Sequence, residues 1–231
     1  MRYALYFAPA AAHPLWLAGN EWLGRDPERD CPLALPEVPG FSPEQIAAIT
    51  ASPRRYGLHA TLKAPFRLGA GRSEEELLAR LTDFCAAHMA LDLPPLQVAA
   101  LDDFIALRSS RRSRELHDLA DACVRHFDDF RAPPDAAELA RRRPEMLDAE
   151  ARVRLARWGY PHVFEGFEFH VSLTGAIAAD VRDALLPWLA NYFAPTLAAP
   201  LAFDALALYV EPEPGAFFRL VQRFPLIGGR Q

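Results

Sequence analysis

The sequence is poor in cysteine, with Cys31, Cys85 and Cys123 the only three among 231 residues. An odd number at wide spacings, with no C-x-x-C, excludes a disulfide framework and a zinc knuckle and fits a reducing cytosol. A basic surplus is also missing. Against 30 acidic residues stand 25 basic ones, a formal charge of −5, which argues against the electrostatic footprint of a long nucleic acid. A small anionic substrate stays open to such a chain if positive groups gather locally. No run of about 18 uninterrupted apolar residues is present, so no membrane span is expected. The start, "MRYALYFAPAAA", is no secretory leader: its basic region is one residue and Pro9 breaks the apolar part. Its aromatic residues Tyr3, Tyr6 and Phe7 suit a first β-strand. What is there in quantity is apolar material, 51% hydrophobic against 24% charged, enough for the core of a soluble globular protein.

Read along the chain, residues 2–8 predict a strand, and "AAHPLWLAGNEWLG" a turn and a short helix that carries Trp16 and Trp22 to the core. "DPERDCPLALPEVPG" is a proline-rich loop. "SPEQIAAIT" opens with a Ser cap and a first-turn Pro, the marks of a helix start. Residues 57–66 predict a strand. "SEEELLARLTDFCAAHMA" predicts a helix capped by Ser73, with acids in its first turn and apolar residues at helical spacing. "LQVAALDDFIALRS" reads as a hairpin about Asp102 and Asp103, followed by a helix in "SRELHDLADACVRHFDDF". Residues 131–161 mix basic and acidic residues with few large apolar ones, and predict a solvated, mostly helical connector or lid. Beyond it come a strand over 163–174, a helix over about 178–193, and strands over 199–210 and 217–225. Strand, helix, strand, strand is thus written twice. The expectation is an α+β fold with mainly antiparallel sheets, one bilobal domain over 1–231 whose lobes are built around 57–66 and 163–174.

Two short stretches carry the chemistry. "YGLHATLKAPF" sets His59, Thr61 and Lys63 at every second position, and "FEFHVSLTG" does the same with His170, Ser172 and Thr174. In a strand, residues two apart share a face, so each stretch is a row of polar groups backed by a hydrophobic wall. An ordinary pKa near 6.5 lets a histidine take or give a proton near neutrality. Two on facing strands can divide that work. Hydroxyls two residues on can donate to the oxygens of a tetrahedral anion, and Lys63 adds a positive charge. Phosphoester hydrolysis asks for such a set: activated water, a protonated leaving oxygen and charge stabilisation on the other oxygens.

These residues also carry a resemblance. H-x-T-L-K and H-x-S-L-T resemble the paired H-x-[T/S] motifs of the two-histidine (2H) phosphoesterases, which include RNA 2′,3′-cyclic phosphodiesterases and 2′-5′ RNA ligase-like proteins. "RYALYFAP", "YGLHATLKAPF", "RWGYP" and "FHVSLTG", in this order over nearly the whole chain, are similar to a bacterial branch often encoded beside phosphonate-utilisation genes. The resemblance implies a bilobal fold with a pseudo-twofold axis, a groove between lobes, and catalysis without metal or other cofactor. By motif match it implies His59 and His170 as the acid–base pair and Thr61 and Ser172 as phosphate donors, without saying which histidine plays which part. Lys63 and Thr174 share their faces further along. The expected partner is a small phosphorylated compound, and the alternative is a non-catalytic binding protein for a phosphorylated or phosphonylated metabolite. Plainer roles are expected elsewhere. Tyr6 and Tyr209 lie on predicted strands that could line the groove and stack a base or sugar, but read first as core; Arg54 and Arg55 could draw an anion, but read first as a solvated pair; "RSSRRSR" reads as a solvated hairpin exit, and His162 as a loop residue. A two-histidine, one-carboxylate metal site through Glu168 is the weaker reading, because nothing comparable accompanies His59.

Overall fold

The structure, a computed structural model, describes residues 1–228. Strand β1 (Arg2–Phe7) leads to α1 (Pro14–Leu23), where the His13 ring accepts from the Leu15 N–H as an N-terminal cap and Trp16 and Trp22 are buried. The proline-rich segment expected as a plain loop holds a two-residue pair of strands, β2 (Arg25–Asp26) and β3 (Cys31–Pro32). Helix α2 (Pro43–Ile49) starts at a reciprocal cap between Ser42 and Gln45, which satisfies two backbone donors at once. Helix α3 (Ala51–Tyr56) stops at Gly57. Next along the chain are β4 (Ala60–Phe66), α4 (Glu74–Ala87) with a Ser73–Glu76 cap, and the short β5 (Leu91–Asp92). Strands β6 (Leu96–Leu101) and β7 (Phe104–Ser109) form the expected hairpin, with Leu101 opposite Phe104 and Asp102 in the left-handed region at φ 51°.

Helix α5 (Arg114–His126) precedes the connector, which is helical as expected in α6 (Ala136–Arg141) and α7 (Ala149–Trp158). The chain closes with β8 (His170–Ser172), α8 (Ala179–Leu197), the short β9 (Ala202–Phe203), β10 (Ala205–Glu211) and β11 (Arg219–Pro225). The strand expected over 163–174 is only three residues long. Residues before it are drawn away from the sheet: Phe164 sits at φ 56° in a 3-10 turn and packs with Val163, Val124 and Trp158 in a small separate cluster.

The fold is α+β with antiparallel sheets. One has the order β11-β10-β1-β4 and the other β6-β7-β8. Strand order crosses the two halves of the chain: β4 of the first half reaches the β10–β11 hairpin of the second through β1, and β8 of the second completes the β6–β7 hairpin of the first. A further cross-pair joins β5 to β9. Both polar strands are therefore sheet edges, and they lie against one another. A single hydrophobic cluster runs beneath both sheets, from Leu5 and Phe7 on β1 through Leu81 and Phe84 on α4 to Val171 on β8 and Leu189 and Phe193 on α8.

Candidate active site

Where β4 and β8 meet, a groove of about 480 Å³ opens, lined among others by His59, Thr61, His170, Ser172 and Thr174. Its size is within the range of small-molecule sites, roughly 300–1,000 Å³. Five of the six residues singled out in the two polar stretches thus converge on one space. Lys63 does not.

The two histidines are held alike. Nδ1 of His59 lies 2.9 Å from the carbonyl oxygen of Gly57, and Nδ1 of His170 lies 2.8 Å from that of Glu168, in each case two residues back. A carbonyl can only accept, so each Nδ1 carries the proton and each Nε2 is left with a lone pair. For the first ring the carbonyl is presented by Gly57, whose φ of 78° turns the chain out of α3 and whose missing side chain leaves room for Pro27, 2.6 Å from where a Cβ would stand. The His59 ring also stacks on Tyr6, with centroids 3.8 Å apart, while Phe104 lies 5.8 Å from His170. Each ring keeps an edge open to the groove and is walled by protein elsewhere. Burial lowers the pKa of His59 to about 4, helped by its proximity to His170 and opposed by the Gly57 carbonyl. Burial, with the Arg108 charge, lowers His170 to about 4 as well. Both imidazoles are neutral at pH 7 in the empty groove.

The expected alternation along the first stretch fails between Thr61 and Lys63. Tyr6 on β1 pairs with Thr61, but the adjacent Leu5 pairs with Lys63, so β4 carries an extra residue at Leu62. Such a bulge inverts the parity of the residues beyond it. Lys63, expected to face the anion, is instead on the Leu5 side, buried, with Nζ 3.2 Å from Asp128, and Ala64 and Pro65 take its place in the groove. Thr174 does line the groove, beyond the end of β8, where its Oγ1 accepts from the Ile105 N–H at 2.9 Å. Its hydroxyl proton is left over for another acceptor.

Positive charge comes from residues outside the two polar stretches. Arg2, Arg141 and Arg142 line the groove, and among the described residues no Asp or Glu does. Arg2 is paired with buried Glu211, whereas Arg141 and Arg142, from the connector, have no ion pair among the described residues. Tyr160, from "RWGYP", lines the same space beneath the Arg142 guanidinium, 4.7 Å from its ring centroid. The preceding Gly159, at φ 73°, ends α7 and makes that turn. The mixed charges of 131–161 read as a connector or lid, but nothing in their spacing says which of its residues reach the site. Tyr6, expected in the core, is buried and yet lines the groove.

Other residues keep plain roles. Arg54 and Arg55, expected to be solvated, are tied down: Arg54 donates to the Leu23 carbonyl at 2.6 Å and to Thr50, and Arg55 is bound to Glu211. The Tyr209 hydroxyl donates to the Leu58 carbonyl in the core, and His162 is an exposed loop residue. Glu168, the carboxylate of the weaker metal reading, pairs with Arg108 and lines a neighbouring cavity. Among the described residues, no three His, Cys, Asp or Glu side chains come together as a set of metal donors. None of those residues forms a helix long and apolar enough to cross a membrane, and all three cysteines are free.

Similarity to known proteins is broad. The chain is 44% identical to a protein of Janthinobacterium sp. (strain Marseille) described as "Ribose 1,5-bisphosphate phosphokinase PhnN", over 98% of this chain and 51% of the relative. It is 39% identical to a protein of the same description from Laribacter hongkongensis (strain HLHK9), over 95% of this chain and 50% of the relative. The chain spans about half the length of these curated relatives. Among solved structures, it aligns with TT0787 of Thermus thermophilus at 18% identity and a TM-score of 0.43, covering 100% of both chains. It also aligns with a crystal structure described as a phosphoesterase at 16% identity and a TM-score of 0.43, over 97% and 98% of the two chains. The profile of one family matches residues 61–219, a stretch that begins two residues after His59 and takes in all but the first residue of β4, the connector and His170. The chain belongs to this family, which is described as "Protein of unknown function (DUF1045)".

Proposed function

We propose that this chain is a phosphodiesterase of the 2H type, hydrolysing a small cyclic phosphodiester or nucleotide-like phosphorylated metabolite, with His59 and His170 as its acid–base pair. The observation that carries the reading is the duplicated imidazole geometry. Both rings are pinned through Nδ1 to a carbonyl two residues back, both leave Nε2 unprotonated, and both line one groove beside a hydroxyl two residues on.

In this reaction one neutral Nε2 takes a proton from water as its oxygen attacks phosphorus. The other ring, as imidazolium, gives its Nε2 proton to the departing ester oxygen. One P–O bond forms and one breaks, and a proton passes in net from one histidine to the other, to be returned through solvent. Thr61 and Ser172 donate to the non-bridging oxygens, where negative charge builds, and Thr174 has a proton to add. Because both rings are neutral in the empty groove, the acid form must come with the substrate. A bound phosphodiester is anionic, and an opposite charge close to an imidazole raises its pKa.

The relatives' name supports the substrate class without transferring their activity. Opening a cyclic phosphodiester on a sugar that already bears a phosphate yields a sugar bisphosphate, the kind of compound that the name says those proteins phosphorylate. The kinase chemistry itself has no counterpart here. The chain has no G-x-x-x-x-G-K-[ST] stretch, and its one lysine, Lys63, is buried against Asp128. A connection with phosphonate metabolism is part of the reading through the resemblance alone.

The test is incubation of the purified protein with 2′,3′-cyclic nucleotides and cyclic sugar phosphates, with and without a chelator. Hydrolysis indifferent to the chelator is expected, with a loss of roughly 10²–10⁴-fold in each of His59→Asn and His170→Asn while circular dichroism stays that of the wild type. Substantial turnover in either variant would reject the assignment, and binding without turnover in the wild type would favour a binding protein.

A further inference from the structure

Tyr6 combines features that packing alone does not explain. Its ring is buried on β1, stacked on His59 and opposite Thr61 across the β1–β4 pair. Its hydroxyl is buried and has no hydrogen-bond partner among the described residues. A desolvated hydroxyl without a partner is costly, and native structures rarely keep one. The neighbouring Tyr209 shows the usual solution, a hydroxyl given to a backbone carbonyl. Tyr6 lines the groove together with Arg142 and Tyr160 of the connector.

Two of the polar groups that line the groove, Tyr6 and Arg142, have protons to give. Burial pushes the Tyr6 pKa well above its ordinary value, so the phenol keeps its proton, and a guanidinium can only donate. A donor pair with no acceptor among the described residues asks for an acceptor from outside, and the Arg142 charge asks that it be anionic. A sugar hydroxyl would meet only half of that demand. A phosphoryl oxygen meets all of it.

We infer that Tyr6 is a substrate-contacting residue whose hydroxyl, together with Arg142, receives a phosphoryl oxygen of the ligand, while its ring holds His59 in place. This rests on the phosphoester reading of the groove. It goes beyond that reading by giving the β1 strand and the connector a shared anion position outside the two histidine motifs. The hydrogen bond that the Tyr6 hydroxyl lacks is the bond that ligand binding completes.

Inorganic phosphate is the probe. It is titrated calorimetrically into the wild type, Tyr6→Phe and Arg142→Gln, and melting is followed for each without phosphate. Tyr6→Phe keeps the ring and removes only the unpaired oxygen, so it is expected to melt at or above the wild type. Its phosphate affinity is expected to fall roughly 10- to 100-fold, as for the loss of a hydrogen bond to a charged group, and Arg142→Gln is expected to fall in the same direction. Equal phosphate affinity in the wild type and Tyr6→Phe overturns the inference, as does a clearly lower melting point of ligand-free Tyr6→Phe, which would mean that the hydroxyl serves the fold. Failure of the wild type to bind phosphate overturns it too. Turnover is assayed separately: phosphate binding that depends on Tyr6 in a protein that hydrolyses none of the cyclic esters sinks the phosphodiesterase reading and leaves this one standing.

Discussion

At the scale of single residues, the walling-in of two imidazoles has a cost that acid exposes. The unfolded chain binds protons on its histidines near the ordinary value of 6.5, while folded His59 and His170 hold out to about 4. Between those limits the unfolded state carries more protons, so stability rises with pH there. The contribution of the neutral rings is whole above about pH 6.5 and is lost as pH falls toward 4. Melting temperature measured from pH 7 down to 4.5 is therefore expected to drop in the wild type and to drop less in a His59→Asn/His170→Asn double variant; parallel curves would contradict the burial of the rings. The identity of these two residues is legible because histidine at alternate positions beside a hydroxyl, written twice, is rare without a reason. Lys63 departs from its expected place for a reason equally local. Alternation is a rule of regular strands, and the single extra residue at Leu62 that breaks it leaves no mark in composition.

At the scale of elements, the most consequential junction is the one between α3 and β4. Gly57 ends the helix at φ 78°, and its carbonyl fixes the His59 ring. With ψ at 176° as well, the position lies in a region that only glycine enters readily, so any side chain there strains the backbone by about 1–3 kcal/mol and meets Pro27. Gly57→Ala is expected to lower stability by at least that much in a urea titration. In folded protein it is expected to reduce turnover roughly 10- to 100-fold, as small displacements of a reacting group do. Loss of stability with unchanged turnover would show that the ring does not depend on the junction. Helix starts are well marked in the sequence, since Ser42 with Gln45 and Ser73 with Glu76 are reciprocal caps, and such side chains announce themselves by spacing. The start of β8 is not, because residues 163–169 are as apolar as a strand, yet Val163 and Phe164 turn to a cluster with Val124 and Trp158 while Phe167 and Phe169 join the main core.

At the scale of the whole molecule, a chain of net charge −5 lines one groove, among the described residues, with three arginines and no carboxylate. A local positive field inside a negative molecule attracts anions in a way that salt screens. Arg141→Gln/Arg142→Gln is expected to raise KM for an anionic substrate several-fold, to lower kcat less, and to flatten the rise of KM between about 20 and 300 mM salt. An unchanged KM would mean that the connector takes no part in attraction. The pairing of strands across the two halves has its own consequence. Both sheets draw strands from either side of the connector, so a polypeptide cut within it yields two pieces that each lack a strand the other holds. Neither piece expressed alone should become a stable small protein, whereas the two produced together have what they need to reassemble the whole.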